Sequence, residues 1–333
     1  MSHQRFHWLE KLQVQLASAA AFGVVYFWLW RLLRPWDPEA SLAFIPYGNA
    51  HQLLVLAGVV WALAAAAALV TTRSRPEGAM AAVLIGTAGF SLRSAPIRTL
   101  LWLQDDNFRG LFSRLLAETV LLAGVLIGSA VIIVIVRRII RAARPGWVWQ
   151  DPLANISEAE RSAADKAKSD QTGAKLAMEP GPVNWIVIRG GRQYGRKLTG
   201  AQYAAQGLLC LAIMLAITVV LVLVLLRTSD RGQIVFALLA ANFLAMLVAH
   251  QVFPSPYSMV AWLAPMLIGM LFYALAAVSA INSGVNAWSQ VSPYAGVLPI
   301  DWMTAGAGGG VLGHWVSERI HELRHFEKHE KGQ

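Results

Sequence analysis

The sequence predicts an all-α, polytopic transmembrane helical bundle, and three observations carry that prediction. Apolar residues make up 56% of the chain and charged residues only 14%, with a mean hydropathy of +0.49. That is more apolar side chain than a water-facing surface can cover. These residues fall into runs near the ~20 residues that a helix needs to cross a bilayer. Finally, one long polar interval, Arg137 to Gly200, divides the runs into two sets. It opens on Arg137, Arg138, Arg141 and Arg144 and closes on Arg189, Arg192, Arg196 and Lys197.

The same observations bound the function. A net charge of +9 and a pI near 10.0 could suit nucleic acid, but no basic stripe interleaved with stacking aromatics appears. In a membrane chain the excess is what cytoplasmic retention of Lys and Arg and contact with anionic lipid headgroups produce. Cys210 is the single cysteine, so no intrachain disulfide or CxxC metal motif exists.

Taken in order, the first span covers about Leu16 to Leu33. Tyr26, Phe27, Trp28 and Trp30 crowd its outer end, where aromatics sit at headgroup depth. Because this run is long and its small residues lie near its start, it reads as an uncleaved anchor. The second span, His51 to Thr71, is almost wholly Leu, Val and Ala and ends at Arg73, Arg75 and Pro76. A third, about Ala79 to Leu92, is short for a bilayer; Ser91, Arg93, Ser94 and Pro96 interrupt it, and an interfacial segment follows. The fourth runs Leu111 to Val136 and contains Arg114 and Glu118.

Within the polar interval, Ser157 to Lys175 reads as a solvated helix or linker, and Trp185 to Ile188 as a short strand. Neither could bury a core, so no separate soluble domain is expected. The fifth, sixth and seventh spans are about Ala204–Leu226, Ile234–Val252 and Met259–Ile281. An eighth, Leu298 to Val316, begins with Asp301 and is rich in glycine; a charged amphipathic tail helix, Ser317 to Gln333, ends the chain.

Four parts follow: a membrane half at 1–136, a basic loop at 137–202, a second membrane half at 203–316 and a tail at 317–333. With the basic loop in the cytoplasm and eight alternating spans, N-in and C-in, 20 of the 28 Lys and Arg residues lie inside and 8 outside. Seven spans, with the N-terminus outside, give 18 and 10. The positive-inside rule therefore favours eight and a plasma (bacterial inner) membrane location, although the four arginines counted with the third loop (Arg93, Arg98, Arg109 and Arg114, the last just inside the fourth span) fit it poorly.

Candidate chemistry is sparse. Arg114 and Glu118 stand at i and i+4, close enough on a helix face to pair, and Glu118 lies roughly 10 Å inside the outer boundary. Such a carboxylate must meet a partner or a water-filled cavity. With Asp301 at the same level, and Asn242 beyond, the three form a candidate ion or proton site; the competing reading is a structural ion pair with Arg114 reaching for the headgroups.

Gly306, Gly309, Gly310 and Gly313 provide two GxxxG spacings for close helix packing, for an oligomer interface or for an unwound anion-binding turn. Arg137, Arg138, Arg141 and Arg144 are candidate lipid or partner contacts. His321, His325 and His329 repeat every four residues, a weak metal pattern. His250, His314 and His51 sit at span ends, where a facing pair of imidazoles could bind haem. With no HExxH, GxSxG or P-loop pattern, no enzyme and no cofactor are expected. The reading is a non-enzymatic membrane component that docks protein partners through its basic loop and tail. A small ion-coupled transporter is the alternative.

Overall fold

The computed structural model describes residues 4–35, 40–103, 107–144, 147, 200–255, 258–279 and 291–331; side chains of 4–10, 200–203 and 322–331 lie outside the description. The segments read above as helix or strand at 157–188 fall outside the described residues. Among those described, 85% are helical and none forms a strand.

Helix α1 (Gln4–Val24) passes through a π-helical turn, Val25–Leu29, into α2 (Trp30–Leu33). After the buried stretch 40–44 come α3 (Ala50–Val70), α4 (Pro76–Arg93), the short α5 (Arg98–Leu103) and α6 (Phe108–Ala143). The second half holds α7 (Gly200–Leu225), α8 (Arg231–Val252) and α9 (Met259–Ser279). It ends with α10 (Pro299–Asp301), a π-turn Trp302–Gly306, and α11 (Ala307–Lys331). Six helical stretches are long and apolar enough to cross a membrane: Lys11–Leu33, Ala50–Val70, Phe108–Ala143, Ala204–Leu225, Arg231–Val252 and Met259–Ser279. They present a belt of outward apolar side chains, among them Leu54, Trp61, Val131, Leu208, Phe236 and Leu275. Water would not tolerate so continuous an apolar surface; lipid would.

The two remaining long helices, α4 and α11, correspond to the third run, which is short, and the eighth, which is rich in glycine. The structure supplies the reason. Between Glu77 and Ser91 nearly every residue of α4 is buried, and α4 touches α1, α3, α6, α8, α10 and α11. The α10–π–α11 helix is likewise enclosed from Pro299 to Val311. Helices walled in by protein need small residues for fit more than bulk apolarity for lipid. Gly78, Gly86 and Gly89 bring α4 against Val14, Ala21 and Val25 of α1 and its π-turn; a Cβ at Gly86 would stand 2.6 Å from that of Ala21.

Paired contacts show that the helices run alternately between two shared ends. Residue numbers rise together for α3 beside α6 (Trp61 on Val125, Thr71 with Arg137) and for α8 beside α11 (Leu239 on Gly309, Phe243 on Gly313). They run oppositely for α4 beside the α10–α11 helix, where Ser91 meets Asp301 and Arg75 meets Glu318. One end carries Thr71, Arg137, His250 and Glu318 and leads into the polar interval; it is called the basic end below. The far end carries Phe44, Ser91, Glu118, Arg231 and Asp301.

Two segment boundaries differ from the sequence reading. Helix α6 does not stop at Val136 but continues to Ala143, because Arg137, Arg138 and Arg141 alternate with Ile and Ala that keep helical propensity high. At 36 residues it is about 54 Å long, well beyond a hydrocarbon core of about 30 Å. The tail from Ser317 is not a separate helix; it continues α11 without a break.

Candidate functional site

Polar chemistry inside the bundle gathers at the two ends. At the far end, Asp301 sits in the first turn after Pro299 and is fully buried. Its Oδ2 accepts from the Leu298 backbone N–H at 2.9 Å, closing a cap on its own helix. Its two oxygens also accept both terminal nitrogens of Arg231, the Oδ2 bond being 2.8 Å, and Oδ1 accepts the Ser91 hydroxyl at 2.6 Å. Arg231 additionally donates to the Ser91 carbonyl and hydroxyl. This is a bidentate, charge-assisted pair, the geometry that holds a guanidinium and a carboxylate most firmly. It ties the start of α8 to α4 and α10. Its acid was a sequence candidate; its base, the first residue of α8, was not.

Glu118 is also fully buried, but its partners are not those the i, i+4 spacing suggests. Its Oε2 accepts from the backbone N–H of Phe44 at 2.8 Å and of Ile45 at 3.0 Å. Oε1 accepts no hydrogen bond among the described residues. The proposed pairing with Arg114 is therefore corrected: Arg114 is exposed, no ion pair links it to Glu118, and the loop amides take the carboxylate instead. A four-residue step turns a helix by 40°, enough to put one side chain inside and the other at the rim. Arg114 also lies nearer the helix start, and its long side chain reaches outward. Asp301 likewise does not pair with Glu118. Tyr273 is fully buried on α9, and its hydroxyl donates to Val297 O. Asn242 is buried on α8 and donates to Leu238 O at 2.8 Å.

The glycine run is placed for internal packing. A Cβ on Gly309 or Gly313 would overlap the carbonyl oxygens of Leu239 and Phe243 on α8, and one on Gly310 would overlap that of Ala261 on α9. Gly306 faces Pro265 of α9, where a Cβ would come within 3.0 Å. The helix is not unwound there, and what approaches the glycines is carbonyl oxygen, which repels an anion. The anion-binding reading of these glycines is thereby corrected.

At the basic end, Arg137 turns inward while Arg138, Arg141 and Arg144 stay exposed. Its guanidinium donates to the carbonyls of Thr71 at 2.7 Å, Ser74 at 3.0 Å and Arg75 at 3.2 Å, bonding the C-cap of α3 and the turn that leads from it into α4. Arg137 is thus a fastener between α6 and α3, and the lipid or partner contact expected of it is corrected; the next three arginines keep the exposure such contacts require. Arg144 and Arg73 both lie over the Trp147 ring, at 4.7 and 5.9 Å from its centroid. Arg75 pairs with Glu318.

The histidines are arranged differently from the predicted tail stripe. His321 turns back to His250, ring centroids 5.6 Å apart, and the His314 ring lies 4.6 Å from that of His250 on the other side. Ser317 Oγ accepts from Gln251 at 2.7 Å and stands 2.9 Å from His250 Nδ1, while His250 Nε2 faces Ser255 O at 3.3 Å. A carbonyl can only accept, which assigns the ring proton to Nε2 and makes Nδ1 the acceptor of the Ser317 hydroxyl. Both His314 nitrogens lack a partner among the described residues. Rings in contact leave no gap for a porphyrin between His250 and His314, which corrects the haem alternative for that pair. Among the described residues no three His, Cys, Asp or Glu side chains are placed to hold a metal ion; the side chains of His325 and His329 lie outside them.

These features are those of a multi-pass helical membrane protein with polar fasteners at both ends of an apolar bundle. No protein family, curated protein or solved structure matches the chain, so the reading of function rests on the geometry.

Proposed function

We propose that this is a plasma-membrane protein of the bacterial inner-membrane type, crossing eight times with both termini and the basic interval in the cytoplasm. It acts without catalysis, docking protein partners through 137–202 and 317–333, with anionic headgroups bearing on the exposed Arg138, Arg141 and Arg144. One observation carries this reading: apart from Glu77, buried on α4, the enclosed charges are spent on fastening helices to one another. Asp301 and Arg231 hold each other, Arg75 holds Glu318, Arg137 holds the end of α3, and one oxygen of Glu118 holds a loop.

The test combines two measurements. Reconstituted in liposomes, wild type and Glu118→Gln should both show leak-level ion flux. In native membranes, cross-linkers placed in 150–199 should give discrete adducts that weaken when Arg138, Arg141 and Arg144 are changed together to Gln. Gradient-driven flux in wild type that is lost in Glu118→Gln would overturn the docking reading. It would support the second one, an ion-coupled carrier, which draws on the unpartnered Oε1 of Glu118.

A further inference from the structure

The loop that Glu118 holds is itself unusual. Over residues 40–44, ahead of α3, the chain does not pass over the surface: Ala40, Ser41, Leu42, Ala43 and Phe44 are all buried, at 8% exposure or less. It then turns through Gly48, at φ +74°, with Gly48 N–H donating to Ile45 O and Asn49 N–H to Phe44 O. A non-helical segment folded into an apolar bundle has amides that water cannot reach, so each needs a partner from the protein. Leu42 N–H finds Ser94 Oγ at 2.8 Å. Phe44 and Ile45 N–H both find Glu118 Oε2, two successive amides converging on one oxygen in an anion-binding nest. Ser94 is neutral, so Glu118 supplies the only charge in this set of bonds.

No cation among the described residues shares that charge. On α6 itself Arg114 is exposed; from α3, His51 is exposed; at the end of α4, Arg93 is exposed and lies over Tyr26 at 4.1 Å. From α9 comes the Tyr273 hydroxyl, committed to Val297 O, and from α10 comes Asp301, already paired with Arg231. Oε1 is left enclosed and without a donor.

We propose that Glu118 Oε1 is a proton-binding site and that its occupancy sets how firmly segment 40–48 is seated in the far end of the bundle. A proton added to Oε1 leaves Oε2 as a neutral carbonyl oxygen. The bonds from Phe44 and Ile45 then lose their charge assistance, worth about half the strength of each. The plug loosens without being cut free, because Ser94 still holds Leu42. The proposal is independent of the docking reading: a plug seated equally at every pH would remove the latch and leave that reading intact.

The test is hydrogen exchange on the full-length protein in zwitterionic lipid nanodiscs at pH 8 and pH 5, with rates corrected for intrinsic exchange, read on peptides covering 40–49. In wild type, protection of Phe44 and Ile45 should fall about tenfold or more on acidification, the scale set by losing two charge-assisted bonds. Glu118→Gln should be weakly protected at both pH values, and Ser94→Ala should weaken Leu42 while keeping the pH response. Infrared difference spectra between the two pH values should show a protonated-carboxyl band that Glu118→Gln lacks. If protection is equal at both pH values in wild type, or if Glu118→Gln keeps the pH response or the band, the proposal is overturned. The wild-type pair alone decides the matter should Glu118→Gln fail to fold.

Discussion

Removing one member of the Arg231–Asp301 pair should be among the most damaging single changes in the protein. Asp301→Ala deletes the acceptor of four bonds at once: those from two guanidinium nitrogens, the Ser91 hydroxyl and the Leu298 amide. Arg231, whose side chain is 11% exposed, would keep its charge with only the Ser91 oxygens to meet it. Breaking a buried pair from one side costs about 3–5 kcal/mol. An ordinary hydrogen bond between membrane helices averages only about 0.6 kcal/mol, so the two descriptions of this contact differ several-fold in what they predict. Unfolding in mixed micelles, followed by the fluorescence of the 13 tryptophans, separates them. Asp301→Leu and Arg231→Leu should each lose about 3 kcal/mol or more, and the double variant less than the two singles together, since apolar replacement of both partners is often close to neutral. Single losses under about 1 kcal/mol that simply add would refute the claim that this pair fastens α4, α8 and α10.

Two further outcomes follow from packing. Gly310→Ala should cost about 1–3 kcal/mol or more, because its Cβ meets backbone of α9 that cannot step aside. Gly308→Ala, whose Cβ would stand 3.7 Å from that of Leu84, should be neutral or gain up to about 1 kcal/mol of helix propensity; the same unfolding assay compares them. Arg137→Met removes the guanidinium that bonds three carbonyls of the α3–α4 turn, two of which keep backbone donors of their own, and should lose about 1–3 kcal/mol, whereas Arg141→Met, exposed on the same helix, should stay within about 0.5 kcal/mol.

Hydrophobic runs were legible because burial in lipid is decided residue by residue, so α3, α7, α8 and α9 begin and end close to where their composition changes. The short third and glycine-rich eighth runs were legible as departures but not as the central helices, since enclosure by neighbours depends on tertiary packing. Asp301 stood out as an acid in an apolar run, yet Arg231 lies 70 residues away beside a polar turn with nothing local to single it out. For Glu118 the local signal misled: an arginine four residues earlier is a stronger sequence cue than the amides of Phe44 and Ile45, which any residue carries. His321 was assigned to a surface stripe because period four was visible and the approach of α8 was not.

The central antiparallel helices are knotted together at Ser91–Asp301 and again at Arg75–Glu318. Sixteen residues of α4 separate those knots, about 24 Å along its axis, slightly less than the hydrocarbon depth of a typical bilayer. Under the eight-crossing reading proposed above, such a strut behaves as a ruler: a thicker membrane must pinch to meet it or leave its charged ends immersed in oil, and the protein should favour thin bilayers.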